Sequence, residues 1–502
     1  MNRPMRILVG GTSRPKGQQM PMDTDTMPGT AVELNDVAVS EAMAYYDEWL
    51  AFRRHYLRVP GVQAAVFAGE RVVLSRAYGH ADVERRIELT TRHLFRIASH
   101  SKTFTGTALM QLVESGVLRL DDAVGDWAHY LKDAGSPLAR ITIRELLNHT
   151  GGVFRDGLDG DFWQLYREFP DRAAFEQTLL AETAAVVPRN DRFKYSNMGY
   201  TLLGLVIEAA TGRGYAEQLR TEVIDRLGLR DTGPELDPAR LQEYAVGYSA
   251  LAYADARVPI EHVDTRQMAP ATGFFATASD LVTYFSAHFL GDDRLLTDDS
   301  KRLMQHGYWS VGSDDERYGL GLSVMRLGER TLIGHGGGFP GHITSSVADP
   351  AGRLAVSVLT NAIDGPARGL AHAGVRLVDL AHRTEAVTRQ RDDLARFTGR
   401  FANLWGVVDV ALLGRRLFLV SPSADNPAED VTELEVVDDH TLRVASGPGY
   451  GSFGEPFRYR FRGDGSVESV RGESANTLTP LETFTLPGRV TIAALVDPAG
   501  RE

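Results

Sequence analysis

The chain has no cysteine in 502 residues. Disulfides, thiolate metal sites, iron–sulfur clusters and a cysteine nucleophile are excluded together, so covalent chemistry here must run through oxygen or nitrogen. It also lacks basic excess: 54 Lys and Arg stand against 66 Asp and Glu, a net charge of −12. A nucleic-acid surface needs a basic stripe to neutralise phosphates, so a small molecule or peptide is the expected substrate partner. Long apolar runs are missing too. The opening MNRPMRILVGGTSRPKGQQ offers only Ile-Leu-Val as an apolar patch, against the roughly 7 to 15 residues of a signal sequence. No stretch reaches the about 18 apolar residues of a membrane span. Together these absences read as a cytoplasmic protein with no membrane span.

What is present is globular. With 43% hydrophobic and 24% charged residues, the chain can bury a core, and its length suggests two or three units of about 150 residues each. Residues 1–34 are rich in Met, Pro, Gly, Thr and Asp without periodicity and read as a flexible leader. VSEAMAYYDEWLAFRRHYLRV then has the spacing of an amphipathic helix, ended by Pro60. Two apolar runs flanking Ala68 to Arg71 predict a β-hairpin. From Lys102 the pattern is helical, with Phe104, Ala108, Leu109, Leu112 and Val113 on one face and Gly116 at its close. Residues 140–286 read as mostly helical, and short Gly-punctuated strands return from Tyr318, followed by a helix from Pro366 to Arg383. Strands at both ends with helices between them predict an α+β domain over residues 35–388, an antiparallel sheet flanked by helices with a helical insert. After the charged run TRQRDD, residues 389–502 alternate in hairpin-length runs and predict a separate all-β domain, an up-and-down barrel or a sandwich.

Three constellations carry chemistry. In FRIASHSKTFTG, Ser99 and Lys102 are three apart at a loop-to-helix junction. Positions i and i+3 share a helix face, so an amine can reach the hydroxyl. Serine is a weak nucleophile that needs a base, and lysine serves only if desolvation or cationic neighbours lower its pKa. Alone, the spacing fits a polar helix cap better. KYSNMGY supplies Tyr195, which can shuttle a proton near a lysine, and Asn197, a donor and an acceptor for a substrate amide. GHGGGFPGH supplies His335, Gly336, Gly337 and Gly338, whose glycines let backbone approach closely. A His-Gly-Gly-Gly run also occurs in lipase oxyanion loops, but the Gly-x-Ser-x-Gly elbow is absent and the order is wrong.

Taken in order, Ser99-x-x-Lys102, Tyr195-x-Asn197 and His335-x-Gly337 resemble the three motifs of the serine β-lactamase and penicillin-binding-protein superfamily, in particular its class C-like β-lactamase-related hydrolases. LFRIASHSKTFTGTALMQLVESGVLRLDDAV, ITIRELLNHTGG, YSNMGYTLLGLVIEAATG and PATGFFATASDLVTYF are similar to that family as well, so the resemblance covers residues 61–361. It implies that Ser99 is acylated, that Lys102 is its partner in proton transfer and that Tyr195 is the general base or proton relay. Asn197 would hold the substrate amide, and the N–H groups of Ser99 and Gly338 would form the oxyanion hole. Ser101 falls at a position inside the motif.

His335 departs from the Lys-Thr-Gly or Lys-Ser-Gly of enzymes that bind a β-lactam or peptide carboxylate: the hydroxyl is gone and the cation becomes conditional on pH. Efficient β-lactam hydrolysis is therefore less expected than the esterase, D-aminopeptidase-like or amidase chemistry that His-x-Gly accompanies in the family. The barrel-like appendage is similar to those of D-amino-acid-specific relatives, and fits a stability or assembly module equally. The resulting expectation is a serine hydrolase acting on an ester, an amide or a short peptide bond, D-amino-acid peptides included. A β-lactamase or DD-peptidase, and a catalytically silent binding relative, are its alternatives. His149 reads as structural, and His262 and His342 as ordinary polar residues. No nucleotide fingerprint or metal motif is found, so no cofactor is expected. The oligomeric state stays open.

Overall fold

The structure is a computed structural model that describes residues 35–181, 184–313, 315–384, 393–446, 452–472, 475–486 and 490. The expected leader at 1–34 and the expected domain boundary at 388/389 lie outside the described residues.

Helix α1 (Asp36–Tyr56) opens where the Asn35 side chain accepts from Val37 N–H, has Asp36 in its first turn, and ends with Arg53, Arg54 and His55. The acid-first, base-last order suits the helix dipole. The helix stops short of Pro60, at Leu57, and Arg58 takes a left-handed φ of 55°. The expected hairpin is strands β1 (Gly61–Ala68) and β2 (Arg71–Asp82). Nearly every residue of β1 is buried, because Val62, Ala64 and Val66 pack on the α1 side while Ala65 joins the core on the opposite face. A strand covered on both sides reads as a continuous apolar run rather than an alternating one.

The main sheet has nine strands. Their order is β3 (Ile87–Glu88), β2, β1, then Leu354–Thr360, His342–Asp349, Arg330–Phe339, Ser323–Leu327, Glu316–Tyr318 and Trp309–Ser313, every pairing antiparallel. The first long strand thus pairs with the last, Val62 opposite Thr360, and the helices of the intervening chain form the insert. Two strands begin earlier than the reading from Tyr318, Trp309–Ser313 and Glu316–Tyr318. Trp309–Ser313 is the edge strand and is largely exposed, so it carries no apolar alternation to reveal it.

Helix α2 (Ser101–Glu114) lies at the centre and is buried along most of its length, polar residues included. Its hydroxyls are satisfied: Thr103 donates to His100 O at 2.8 Å, Thr105 to Pro270 O at 2.7 Å, and Thr107 pairs with the Tyr284 hydroxyl at 2.9 Å.

Eight strands, from Gly399–Asn403 to Thr477–Pro480, form a closed barrel whose strand order follows chain order, with Phe401 of the first strand opposite Pro480 of the last. It is therefore an up-and-down barrel rather than a sandwich. Phe401, Val410, Leu417, Leu442 and Phe457 belong to its core, while Ala411, Leu413, Phe418 and Val420 pack with the α1 side of the sheet. Tyr45 of α1 donates to Asp409 Oδ2 at 3.0 Å, and Arg400 grips both oxygens of that carboxylate at 2.8 Å.

The strand Arg330–Phe339 is tied to its surroundings by Arg330, 5% exposed, which pairs with Asp349 at 2.7 Å and with Asp379 at 2.6 Å. Arg330→Met leaves two carboxylates without their cation and is expected to cost about 3–5 kcal/mol. Urea unfolding checks this: a loss below about 1 kcal/mol would mean that the pair contributes no more than a surface one.

Candidate active site

Ser99 lies in a single 3₁₀ turn, Ala98–His100, just ahead of α2. Ala98 has a φ of 45°, a left-handed conformation unfavourable for a side chain with a Cβ. The turn is held by Ser101, which donates to Ala98 O at 2.6 Å and accepts from Phe274 N–H at 3.1 Å. His100, fully buried, adds a contact from Nε2 to Ser346 Oγ at 2.9 Å. Ser101 is thus a brace, while Ser99 is half-buried and open to one side.

Two groups converge on Ser99. Its Oγ accepts from Lys102 Nζ at 3.1 Å and from the Tyr195 hydroxyl at 3.0 Å. Lys102 is fully buried and also donates to Ala271 O at 2.8 Å. Burial pulls its ammonium pKa well below the usual lysine value, opposed by Asp156 and aided by Arg155. The same burial raises the Tyr195 phenol, so Tyr195 rests neutral.

Tyr195 and Asn197 flank Ser196, the N-cap of the helix Asn197–Thr211. Ser196 Oγ accepts from Gly199 N–H at 2.8 Å and donates to Phe154 O at 2.7 Å, which anchors both neighbours. Asn197 Nδ2 donates to Asp156 Oδ1 at 2.6 Å, and its Oδ1 is buried without a partner. One of the two amide N–H donors of Asn197 is therefore engaged by a carboxylate, and its Oδ1 is left as an acceptor.

His335 lies on the same strand as Gly337 and Gly338. It is 7% exposed, and burial, then Lys102, then His100 push its pKa down to about 3. Its Nδ1 lies 2.6 Å from Gly336 O, and its Nε2 lies 2.9 Å from the Tyr318 hydroxyl. A carbonyl only accepts, so Nδ1 carries the proton and Nε2 accepts from Tyr318. Further along the strand, a Cβ on Gly337 would stand 2.1 Å from Ile97 O, so a side chain there would push the strand off the Ser99 segment. Gly338 is not so confined: a Cβ there would meet only Ile343, at 3.5 Å.

The structure brings Ser99, Lys102 and Tyr195 into direct contact and sets Asn197 and His335 around them. His149 packs beneath, its ring 4.3 Å from that of Tyr195 and its Nδ1 accepting from Ser196 N–H at 3.1 Å. His262 and His342 stand with ring centroids 5.5 Å apart. Among the described residues no group of three or more His, Asp or Glu could hold a metal ion, and no helix is long and apolar enough to cross a membrane. Sequence reasoning missed Asp156, Tyr318 and His100. The charged pair Arg155-Asp156, just after NHTGGVF, was a usable signal for the first. The other two carried none, since their contacts come from distant strands.

Comparison with known proteins finds relatives of both the sequence and the fold. The Beta-lactamase family model matches residues 47–380. Penicillin-binding protein 4* of Bacillus subtilis (strain 168) is 28% identical over 291 residues, covering 56% of this chain and 63% of its own length. The chain therefore matches just under two thirds of that relative. Among solved structures, the octameric penicillin-binding protein homologue from Pyrococcus abyssi superposes with a TM-score of 0.59 at 21% identity, over 89% of this chain and 100% of that one. The D-amino acid amidase from Ochrobactrum anthropi SV3, complexed with D-phenylalanine, gives 0.55 at 27% identity, over 67% of this chain and 97% of that one. The fold is the β-lactamase/transpeptidase-like one, and because the family model runs across every segment that meets at Ser99, this chain belongs to the Beta-lactamase family.

Proposed function

We propose that the protein is a serine hydrolase working through an acyl-enzyme at Ser99, with an amide, ester or short peptide as substrate. The observation that carries this is the pair of contacts on Ser99 Oγ from a desolvated lysine and a neutral tyrosine. A neutral Lys102 amine takes the serine proton as Oγ attacks the carbonyl carbon. Tyr195 acts as relay rather than as a resting phenolate: it hands a proton to the departing amine or alcohol as the C–N or C–O bond breaks, and recovers one from Lys102. Water then attacks the acyl ester, its proton returns through the same pair, and acid and free serine leave. The N–H groups of Ser99 and Gly338 are assigned to the developing oxyanion.

Neutral His335 favours amides and esters over carboxylate-bearing β-lactams, because it supplies no cation to the substrate. The likeness to an amidase named for D-amino acids points to D-configured acyl groups. A panel of p-nitrophenyl acetate, D- and L-phenylalanine p-nitroanilide and nitrocefin tests this. The expected result is anilide or ester turnover with kcat/KM at least about 100-fold above nitrocefin. Nitrocefin as the best substrate would replace the amidase reading with a β-lactamase one.

A further inference from the structure

The barrel is sealed at one end and open at the other. Where the chain enters, the 3₁₀ turn Leu394–Phe397 sets Phe397, 1% exposed, against the rings of Tyr459 and Phe461 at 5.0 and 6.0 Å, and the Tyr459 hydroxyl donates to Phe397 O at 3.0 Å. Arg396 lies over the Phe461 ring at 4.5 Å and completes the plug. At the opposite end, where Gly399–Asn403 turns into Gly406–Leu413, a cavity of about 320 Å³ opens. That is the lower end of the roughly 300–1,000 Å³ range of small-molecule sites. Its floor is Leu419, Phe457 and Leu478, all members of the barrel core. Each stands one residue from the end of its own strand: Leu419 in Arg416–Val420, Phe457 in Pro456–Phe461 and Leu478 in Thr477–Pro480. The cavity is therefore the bore of the barrel itself rather than a crevice on its outside.

Val407 and Val408 extend the apolar lining towards the rim, where the polar groups are neutral: Asn403, whose Oδ1 accepts from Trp405 N–H at 2.8 Å, and Asn476. None of the described residues lining the cavity is charged. An ion entering it would shed hydration with no opposite charge to replace it, whereas an apolar molecule would gain by covering the floor. Trp405 stands at this rim 90% exposed, outside the barrel core, and offers an aromatic face for a flat molecule to stack on. The barrel packs on the α1 face of the sheet, while α2 behind Ser99 belongs to the core of the other face, so this cavity is no part of the Ser99 site. We propose that the open end of the barrel is a second binding site, for one small uncharged molecule, predominantly apolar and about the size of a naphthalene. It stands whether or not Ser99 is acylated.

The test titrates the full chain with N-phenyl-1-naphthylamine, an uncharged probe whose fluorescence brightens in an apolar site. The expected result is saturable binding of one probe per chain, with a Kd of about 10–200 µM. At pH 7, 1-naphthol should displace the probe at concentrations at least about tenfold lower than 1-naphthoate, its charged counterpart. Leu419→Trp fills the floor and should abolish the saturable phase. Should that variant fail to fold, Trp405→Ala decides, because its side chain is exposed and its loss leaves the core intact. There the Kd should rise at least about fivefold. Absence of saturable binding, equal displacement by naphthoate, a saturable phase retained in folded Leu419→Trp, or an unchanged Kd in Trp405→Ala overturns the proposal. If Trp405→Ala keeps its probe affinity but falls from a larger oligomer to a smaller one on size-exclusion chromatography, the rim belongs to a contact with a second copy of the chain and the proposal fails.

Discussion

Ser99→Ala is expected to lower kcat/KM by about 10⁴- to 10⁶-fold on every substrate turned over. The substitution removes one oxygen atom, the one on which both Lys102 Nζ and the Tyr195 hydroxyl converge. Ser99 is half-buried, so the fold should survive with stability changed by less than about 1 kcal/mol. Lys102 keeps its bond to Ala271 O, and the turn keeps its brace from Ser101. Steady-state assay beside thermal unfolding separates the two quantities. Residual activity within about tenfold of wild type, in a folded variant, would move the nucleophile elsewhere.

Lys102→Met is expected to cost about 10²- to 10⁴-fold in kcat, the range of a positioned general base. The pH dependence distinguishes this from a packing defect. Because burial lowers the Lys102 pKa, the active neutral amine forms as pH rises through that lowered value. Wild-type kcat/KM should therefore climb along one limb centred well below 10.5, and Lys102→Met should lose the limb. Stability should move the other way. A lysine whose folded pKa lies below its unfolded one disfavours folding in full below the folded pKa, and that penalty fades as pH rises to the unfolded value. Methionine removes the penalty, so the variant should be at least as stable as wild type at neutral pH, with the difference closing near pH 10.5. A variant that is both inactive and much less stable at neutral pH would contradict this assignment.

The parts of this site that rest on local geometry were legible from the sequence. Ser99 and Lys102 are three residues apart and the i to i+3 rule alone brings them together. The β1–β2 hairpin and the all-β character of the C-terminal region were legible for the same reason, since each hairpin is a short run closed by its own turn. Other features depend on what the fold sets around a residue. The sequence shows a histidine at 335, but its neutrality follows from burial beside Lys102 and His100 and from the Tyr318 hydroxyl arriving from another strand. Likewise the amide of Asn197 was legible and its orientation was not, because that is fixed by Asp156, 41 residues away. The edge strand Trp309–Ser313 escaped notice because half-exposed edges carry no apolar period.

The most direct measurement is the mass of the protein after exposure to a fluorophosphonate, with the label mapped by peptide. The expected result is one adduct on the peptide containing Ser99, absent from Ser99→Ala and slowed in Lys102→Met. Ester turnover by wild type with no label on Ser99, or with the label on another residue, would contradict the assignment of Ser99 as the acylated nucleophile.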